Sequence, residues 1–247
     1  MIDALRSEWT KLRSVRSTTW SMLTVVLMMV GFSILMSKVA LATLDERPLG
    51  DPAALSMAGV QLASIVVAAL GVLAISAEYR TGMIRTSLLA VPRRGRMLAA
   101  KVIVFALAVG GAMLVTSLVS FFAGQLVLGE HGVALTEGDS LRIVAGAALY
   151  VTASGLFGLG LGTIIRHTAG GIVAIVVLLL VLPQLATMLP GETGAQVVKY
   201  ITSTAGARIM SPQVDGLLPP WTGFGVYCLW VAVAMVLALV LLRRRDA

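Results

Sequence analysis

Six long apolar stretches, none with a charged residue at its centre, constrain the fold of this chain more than any other feature. Each reaches the roughly 20 residues that a helix needs to cross a hydrocarbon core about 30 Å thick. Because a backbone in lipid must satisfy its own hydrogen bonds, such stretches are expected to form helices. We therefore predict an all-α membrane protein with a single transmembrane domain over residues 1–247. The predicted spans cover residues 18–41, 56–77, 102–128, 141–165, 169–189 and 220–242.

Composition supports a membrane protein. Hydrophobic residues make up 58% of the chain and charged residues only 13%, whereas a soluble domain carries about 25% charge. The first apolar stretch is longer than the ~7–15-residue core of a signal peptide, so we expect a retained span. The lone cysteine, Cys228, excludes an intrachain disulfide, and the isolated His131 and His167 do not predict a metal site.

Charged residues are distributed unequally between the two sides that alternating spans would produce. If the N-terminus is cytoplasmic, fourteen of the nineteen basic and four of the twelve acidic residues lie on the cytoplasmic side, a net charge of +10. The other five basic and eight acidic residues give −3 outside. This asymmetry follows the positive-inside rule and predicts a multi-pass protein of the cell's inner (plasma) membrane, with both termini cytoplasmic. Because the charges sort in this way, the net charge of +7 does not indicate binding to nucleic acid.

Residues 1–16 have the pattern of an amphipathic helix. Ile2, Leu5, Trp9 and Leu12 recur at spacings of three and four, and basic residues occupy other positions. A tryptophan with flanking basic residues favours a helix that lies in the cytoplasmic headgroup layer. The alternative is that this segment is only the basic flank of the first span.

The loop between the second and third spans holds the most specific pattern. Gly82 is a predicted hinge, an apolar and basic segment follows it as a predicted short helix, and Pro92 ends that helix. A short cytoplasmic helix between two spans is a natural contact for a soluble partner, although an ordinary positively charged loop explains the same residues. The predicted contact residues are Glu78, Arg80, Gly82, Met83, Ile84, Arg85, Ser87 and Leu88.

A resemblance to a known family favours the first reading. The run Glu-Tyr-Arg-Thr-Gly-Met-Ile-Arg-Thr-Ser-Leu at 78–88, followed by Pro-Arg-Arg, resembles the coupling-helix region of type-2 ATP-binding-cassette (ABC) exporter permeases. The segments 5–14 and 241–247 resemble the ends of the short actinobacterial members. The resemblance implies a homo- or heterodimeric permease. It also implies two separate cytoplasmic ATPase subunits that dock on residues 2–16 and 80–92.

Cofactor binding is expected on those partner subunits. The chain has no Gly-x-x-x-x-Gly-Lys-Ser/Thr phosphate loop, so ATP and magnesium are expected on the ATPase and not on this chain. The chain is therefore not expected to be an enzyme by itself. In the resemblance, Glu78 corresponds to an acidic residue at the cytoplasmic end of the second span.

Polar and small residues inside the spans give further candidates. Gln61 and Gln184 could line a translocation pathway, since the resemblance places the first, second and fifth spans near the dimer axis. Gln125 allows the same interpretation, and for all three the alternative is packing between helices. The fourth span carries Ser154, Gly158 and Gly162 at four-residue spacing, which predicts a close helix contact within or between subunits.

Two other function classes compete with an exporter of amphiphilic or hydrophobic cargo. An ion-coupled secondary transporter predicts charged residues at mid-membrane depth and a repeat of the first half. An intramembrane enzyme predicts a motif such as His-Glu-x-x-His, or Gly-x-Ser-x-Gly with a histidine partner. The sequence contains neither motif and no charged residue at the centre of a span, so the exporter is favoured.

Overall fold

Helices make up the regular structure, as the six apolar stretches require. The computed structural model describes residues 2–14, 16–45, 47–82, 94–212 and 216–244. Within those ranges there is no β-strand, and six helices are long and apolar enough to cross a membrane, which confirms the predicted fold class. The six spans comprise the helices Arg16–Ala42, Val60–Arg80, Arg94–Leu128, Ser140–Ile165, a composite fifth helix, and Pro220–Arg244.

Shorter helices lie outside the spans. The N-terminal segment forms the helix Ile2–Ser14, and its position in the headgroup layer stays a prediction. Three of these shorter helices lie in the loop before the sixth span. The short elements are Pro52–Leu55, Gly129–His131, Gly191–Tyr200, Thr202–Ala207 and Arg208–Met210.

The third span differs from its sequence-based boundary. Its helix begins at Arg94, whereas the apolar stretch begins at Val102. Hydropathy marks where a helix can enter lipid, but backbone hydrogen bonding continues through charged residues that lie beyond the lipid. Lys101 therefore lies within a helix, immediately before the apolar part of that helix.

The composite fifth helix is irregular just before Pro183. It consists of Thr168–Val176, a π-helical turn over Val177–Val181, and Leu182–Ala186. In the π turn the Leu182 N–H donates to the Val177 carbonyl. Proline has no N–H and its ring crowds the preceding turn, so a widened turn just before Pro183 relieves that conflict.

The fourth span is the centre of the bundle. Its most apolar window is 78% buried, whereas the other five spans are 22–56% buried. Its glycines explain the close packing: Gly155 lies against Gly71 of the second span, and Gly158 lies against the Ala68 carbonyl. The small-residue stripe is thus a contact within one subunit, which was one of the two interpretations that the sequence allowed.

Gly158→Ala is expected to destabilise the protein by about 1–3 kcal/mol, because a β-carbon at this position would overlap the Ala68 carbonyl oxygen. Backbone lies on both sides of the contact, so neither side can move cheaply. The matched control is Gly111→Ala in the third span, where no atom lies within 4 Å of the added carbon. Thermal unfolding of both detergent-solubilised variants checks this, and equal midpoints would contradict the packing argument.

Charged residues collect at the two ends of the bundle. We call the end that carries the N-terminal helix the basic end, and the opposite end the acidic end. The basic end holds Lys11, Arg80, Lys101, Arg166 and Arg243. The acidic end holds Asp45, Asp51, Glu130, Glu137 and Asp139.

Candidate functional site

The candidate coupling loop begins where the second span ends, at the basic end. The helix stops at Arg80, and Gly82 follows in the left-handed backbone region with a φ of 69°. Its N–H donates to the Tyr79 carbonyl at 3.4 Å. A glycine in this conformation is a common helix terminator because it lacks a β-carbon. The remaining predicted contact residues, Met83, Ile84, Arg85, Ser87 and Leu88, lie outside the described residues.

Glu78, one of the predicted contact residues, belongs to a buried ion cluster. Lys101 Nζ contacts Glu78 Oε1 at 2.9 Å and also contacts Glu8 Oε2. Lys11 Nζ lies 2.7 Å from Glu8 Oε1 and 2.9 Å from Glu78 Oε1. The cluster therefore ties the N-terminal helix to the second and third spans through two carboxylates and two ammonium groups.

Burial makes this cluster different from a surface salt bridge. Glu8, Glu78 and Lys101 are at most 6% exposed. Charges taken out of water are tolerated only when partners satisfy them, so removal of one partner is strongly destabilising. Burial opposes the charged form of Lys11, but its hydrogen bonds to Glu8 and Glu78 outweigh burial and raise its pKa above the ordinary value. Lys11 consequently remains charged at physiological pH.

The sequence places Glu8 and Lys11 where they can reach the bundle. They are three residues apart, so they share one face of the N-terminal helix with Leu12, which packs against the hydrophobic core. Trp9, on the same helix, is 51% exposed. A partly exposed tryptophan on such a helix is compatible with an interfacial position.

Sequence reasoning did not identify Glu8, Lys11 or Lys101 as site residues. All three entered the charge balance between the two sides of the membrane, and Glu8 and Lys11 also lay within the docking segment 2–16 that the resemblance implied. One signal was available: Glu8 is an acid within a segment that is otherwise mainly basic.

A second contact joins span ends at the basic end. Arg166 follows the fourth span with a left-handed φ of 58°, and its guanidinium carbon lies 5.1 Å from the Tyr79 ring centroid. Thr168 Oγ1 donates to Ser76 Oγ at 2.9 Å. The end of the second span, which leads into the candidate coupling loop, is thus held from both sides.

The polar residues within the spans fall into different environments. Gln61 Nε2 donates to the Leu179 carbonyl of the fifth helix at 3.3 Å, and Gln61 Oε1 accepts from the Tyr150 hydroxyl at 3.3 Å. Gln125 bonds to Pro52, Ser56 and Val133, which links the third span to the neighbouring loops. These two residues therefore join helices within the subunit.

Gln184 lies elsewhere. Its side chain is exposed on the surface of the fifth helix, beside the exposed Leu185. Gln184 and Gln61 do not hydrogen-bond to each other. Gln61 instead contacts the fifth helix at Leu179, less than two turns before Gln184. An amide exposed on an apolar helix is costly where lipid surrounds that helix.

Comparison with known proteins identifies the family. A family model described as "ABC-2 family transporter protein" matches residues 4–182, which is more than half of the 247-residue chain. The matched segment includes all four residues of the ion cluster and the predicted coupling loop. No curated protein matches the chain. With its six apolar helices, the chain belongs to the ABC-2 transporter family and is a multi-pass membrane permease of that family.

Proposed function

We propose that this permease is the transmembrane subunit of an ATP-driven exporter that moves amphiphilic or hydrophobic cargo out of the cytoplasm. The observation that carries the proposal is the buried ion cluster of Glu8, Lys11, Glu78 and Lys101. It attaches the N-terminal helix to the end of the second span, next to the candidate coupling loop. Two segments that must move together during an ATP-driven cycle are therefore mechanically joined.

The proposed partners follow from the family. Two cytoplasmic ABC ATPase subunits, which hold ATP and magnesium, would dock on the N-terminal helix and on residues 80–92. A second permease copy or homologue would complete the dimer, and membrane lipid would surround it. An ion-coupled mechanism is not favoured, because the charged residues buried at this end of the described bundle, Glu8, Glu78 and Lys101, are already paired within the ion cluster.

The proposed orientation places the basic end in the cytoplasm of a cell's inner (plasma) membrane. Arg80, Lys101, Arg166 and Arg243 lie at that end, and positively charged span ends remain on the cytoplasmic side during insertion. Both termini would then be cytoplasmic, and the acidic end would face outward.

Cysteine labelling tests this orientation. Cys228, the native thiol, is exposed on the sixth span and is first replaced by serine. Single cysteines are then introduced at Val91, which lies outside the described residues, and at the exposed Glu137. An impermeant maleimide added to intact cells is expected to label only the Glu137→Cys variant. Labelling of the Val91→Cys variant from outside would invert the proposed topology.

Gln184 is proposed to face the cargo pathway at the dimer axis. Because its side chain is exposed in the subunit, Gln184→Leu is expected to leave stability unchanged and to alter the range of cargo. Gln61→Leu is expected to cost about 1–3 kcal/mol, because it removes a hydrogen-bond partner of the buried Tyr150 hydroxyl. The measurement is ATP-dependent uptake of a panel of lipophilic dyes and fluorescent phospholipids into inside-out vesicles that also contain the ATPase.

Gln184→Asn serves as the control for this experiment, because it keeps the amide and should retain the original cargo range. Wild-type vesicles should accumulate at least one probe only when ATP is present. If Gln184→Leu transports every probe as the wild type does, the residue faces a protein neighbour or lipid and the pathway assignment is wrong.

A further inference from the structure

Pro183 removes a hydrogen-bond donor that two carbonyl groups of the fifth helix would otherwise share. The N–H of residue 183 would donate to the Leu179 carbonyl in an α-helix and to the Leu178 carbonyl in a π-helical turn. Proline has no N–H, and the preceding N–H, that of Leu182, is used by the Val177 carbonyl. Because an unpaired carbonyl inside an apolar bundle is costly, Leu178 and Leu179 need donors from other elements.

Side chains from two other elements supply these donors. Gln61 Nε2 of the second span donates to the Leu179 carbonyl at 3.3 Å. Thr202 Oγ1, at the start of the helix Thr202–Ala207, donates to the Leu178 carbonyl at 2.6 Å. The Thr202 bond is short, whereas the Gln61 bond is longer than the usual N–H···O distance of about 2.9–3.0 Å. Thr202 is therefore the firm anchor of the bend, and Gln61 is the contact that breaks more easily.

Neighbouring contacts show which elements each of the two side chains joins to the bend. The Tyr150 hydroxyl of the fourth span donates to Gln61 Oε1 at 3.3 Å, so the amide nitrogen of Gln61 is directed at the fifth helix. Near Thr202, Trp230 Nε1 of the sixth span donates to the Tyr200 carbonyl at 3.1 Å. Gln61 therefore joins the bend to the second and fourth spans, whereas the Thr202 side is attached to the sixth span.

The second span connects this bend to the basic end of the molecule. Gln61 lies in the first turn of the helix Val60–Arg80, and Glu78 of the ion cluster lies in its last turn. At a rise of 1.5 Å per residue, these two residues are about 25 Å apart along the helix axis. Between them, Gly71 lies against Gly155 of the fourth span. A continuous helix whose closest contact is near its middle tilts about that contact, so its two ends move in opposite directions.

We propose that Gln61 is a positioning residue for transport, which passes movement of the coupling-loop end of the second span to the bend of the fifth helix. When the second span tilts, the long bond from Gln61 to Leu179 breaks before the short bond from Thr202 to Leu178. The outer segment of the fifth helix, residues 182–189, is then released from the second span but stays attached on the sixth-span side. This inference rests on the proposed ATP-driven function, whereas the Gln61 bond at rest is measurable in the permease alone.

Hydrogen–deuterium exchange of the purified permease in nonionic detergent tests the Gln61 bond at rest. Gln61→Leu is expected to raise the exchange rate of residues 184–189 at least tenfold, and at least fivefold more than it raises that of the helix Ser140–Ile165. Gln125→Leu is the control, because it makes the same change at an amide that bonds to other segments. It should alter the exchange of residues 184–189 less than twofold. No rise in residues 184–189, or an equal rise in both regions, would overturn the proposal.

A double-variant cycle shows whether Gln61 acts through the Leu179 carbonyl. Pro183→Ala restores the N–H of residue 183, so Leu179 no longer depends on Gln61. In that background Gln61→Leu should change the exchange of residues 184–189 less than twofold. The lost bond to Tyr150 is common to both backgrounds and does not mask this difference. An undiminished effect of Gln61→Leu would show that Gln61 acts elsewhere. If Gln61→Leu does not fold, Gln61→Asn replaces it, because its side chain is one methylene too short to reach both partners.

The final experiment adds the cognate ATPase in nanodiscs and traps the complex with ATP and vanadate. In the wild type, residues 184–189 should exchange at least fivefold faster in the trapped complex than without nucleotide, because Gln61 has released Leu179. Gln61→Leu should show less than a twofold difference, since this bond is already absent. A full nucleotide response in Gln61→Leu would overturn the transmitting role. No response in the wild type, with the resting results as expected, would refute the ATP-driven function and leave the Gln61 bond as a purely structural contact.

Discussion

Replacing Lys101 with methionine is expected to destabilise the permease by about 3–5 kcal/mol, which is the usual cost of removing one partner from a buried ion pair. Methionine keeps a similar length but leaves Glu8 Oε2 without its lysine donor. Glu8 and Glu78 would then share Lys11 alone, with a net negative charge in a buried site. Denaturant or thermal unfolding of the solubilised permease measures the loss, and limited proteolysis should show that residues 2–14 become cleavable first.

Two further variants separate the ion cluster from general effects of losing a lysine. Lys38→Met removes an exposed lysine at the opposite end of the first span and should leave stability within about 0.5 kcal/mol. The double variant Glu8→Gln with Lys101→Met restores charge balance around Lys11 and Glu78, so its loss should be smaller than the sum of the two single losses. If Lys101→Met is as stable as Lys38→Met, the cluster does not hold the N-terminal helix in place.

The helices that cross the membrane could be predicted because their signal is local. An apolar run of about 20 residues has few alternatives to a helix in lipid, and all six runs are helical. The first and last residues of these helices were harder to predict. The third helix extends back to Arg94 through charged residues that hydropathy assigns to the loop.

The ion cluster could not be predicted because its signal is distributed along the chain. Glu8 and Lys101 are separated by 93 positions in the sequence, and each has an ordinary local explanation as a charge flanking a span. Only the docking of the N-terminal helix brings them together. The glycines of the fourth span show the same limit. Their spacing predicted a close helix contact, but it could not show that the neighbouring residues are Ala68 and Gly71 of the second span.

Glu78 illustrates how a local motif and a distant contact combine. The resemblance in residues 78–88 singled it out as an acid at the start of a coupling loop. The structure adds that its carboxylate bonds to the N-terminal helix through Lys11 and to the third span through Lys101. A movement of the loop can therefore be transmitted through Glu78 to the N-terminal helix and to the third span. A variant that changes the direction of the loop should consequently disturb transport more than it disturbs folding.

Gly82→Pro is expected to uncouple ATP hydrolysis from transport. Gly82 has a φ of 69°, which proline cannot adopt because its ring fixes φ near −65°. No atom lies within 4 Å of a β-carbon added at Gly82, so steric overlap should not prevent folding. The loop would instead leave the second span in a different direction. In proteoliposomes with the cognate ATPase, we expect hydrolysis to continue while cargo transport falls at least tenfold, with membrane insertion unchanged.

The matched control is Gly138→Pro, because Gly138 has a φ of 51°, open space around its β-carbon position, and a place at the acidic end, far from the loop. It should retain coupled transport.

The assembly is expected to contain two permeases and two ATPases, and the isolated permease should hydrolyse no ATP because it lacks a phosphate loop. Substantial hydrolysis by the isolated chain would refute the division of labour between subunits. Normal transport by Gly82→Pro would show that the path of this loop does not carry the coupling, and would leave the N-terminal helix as the element that does.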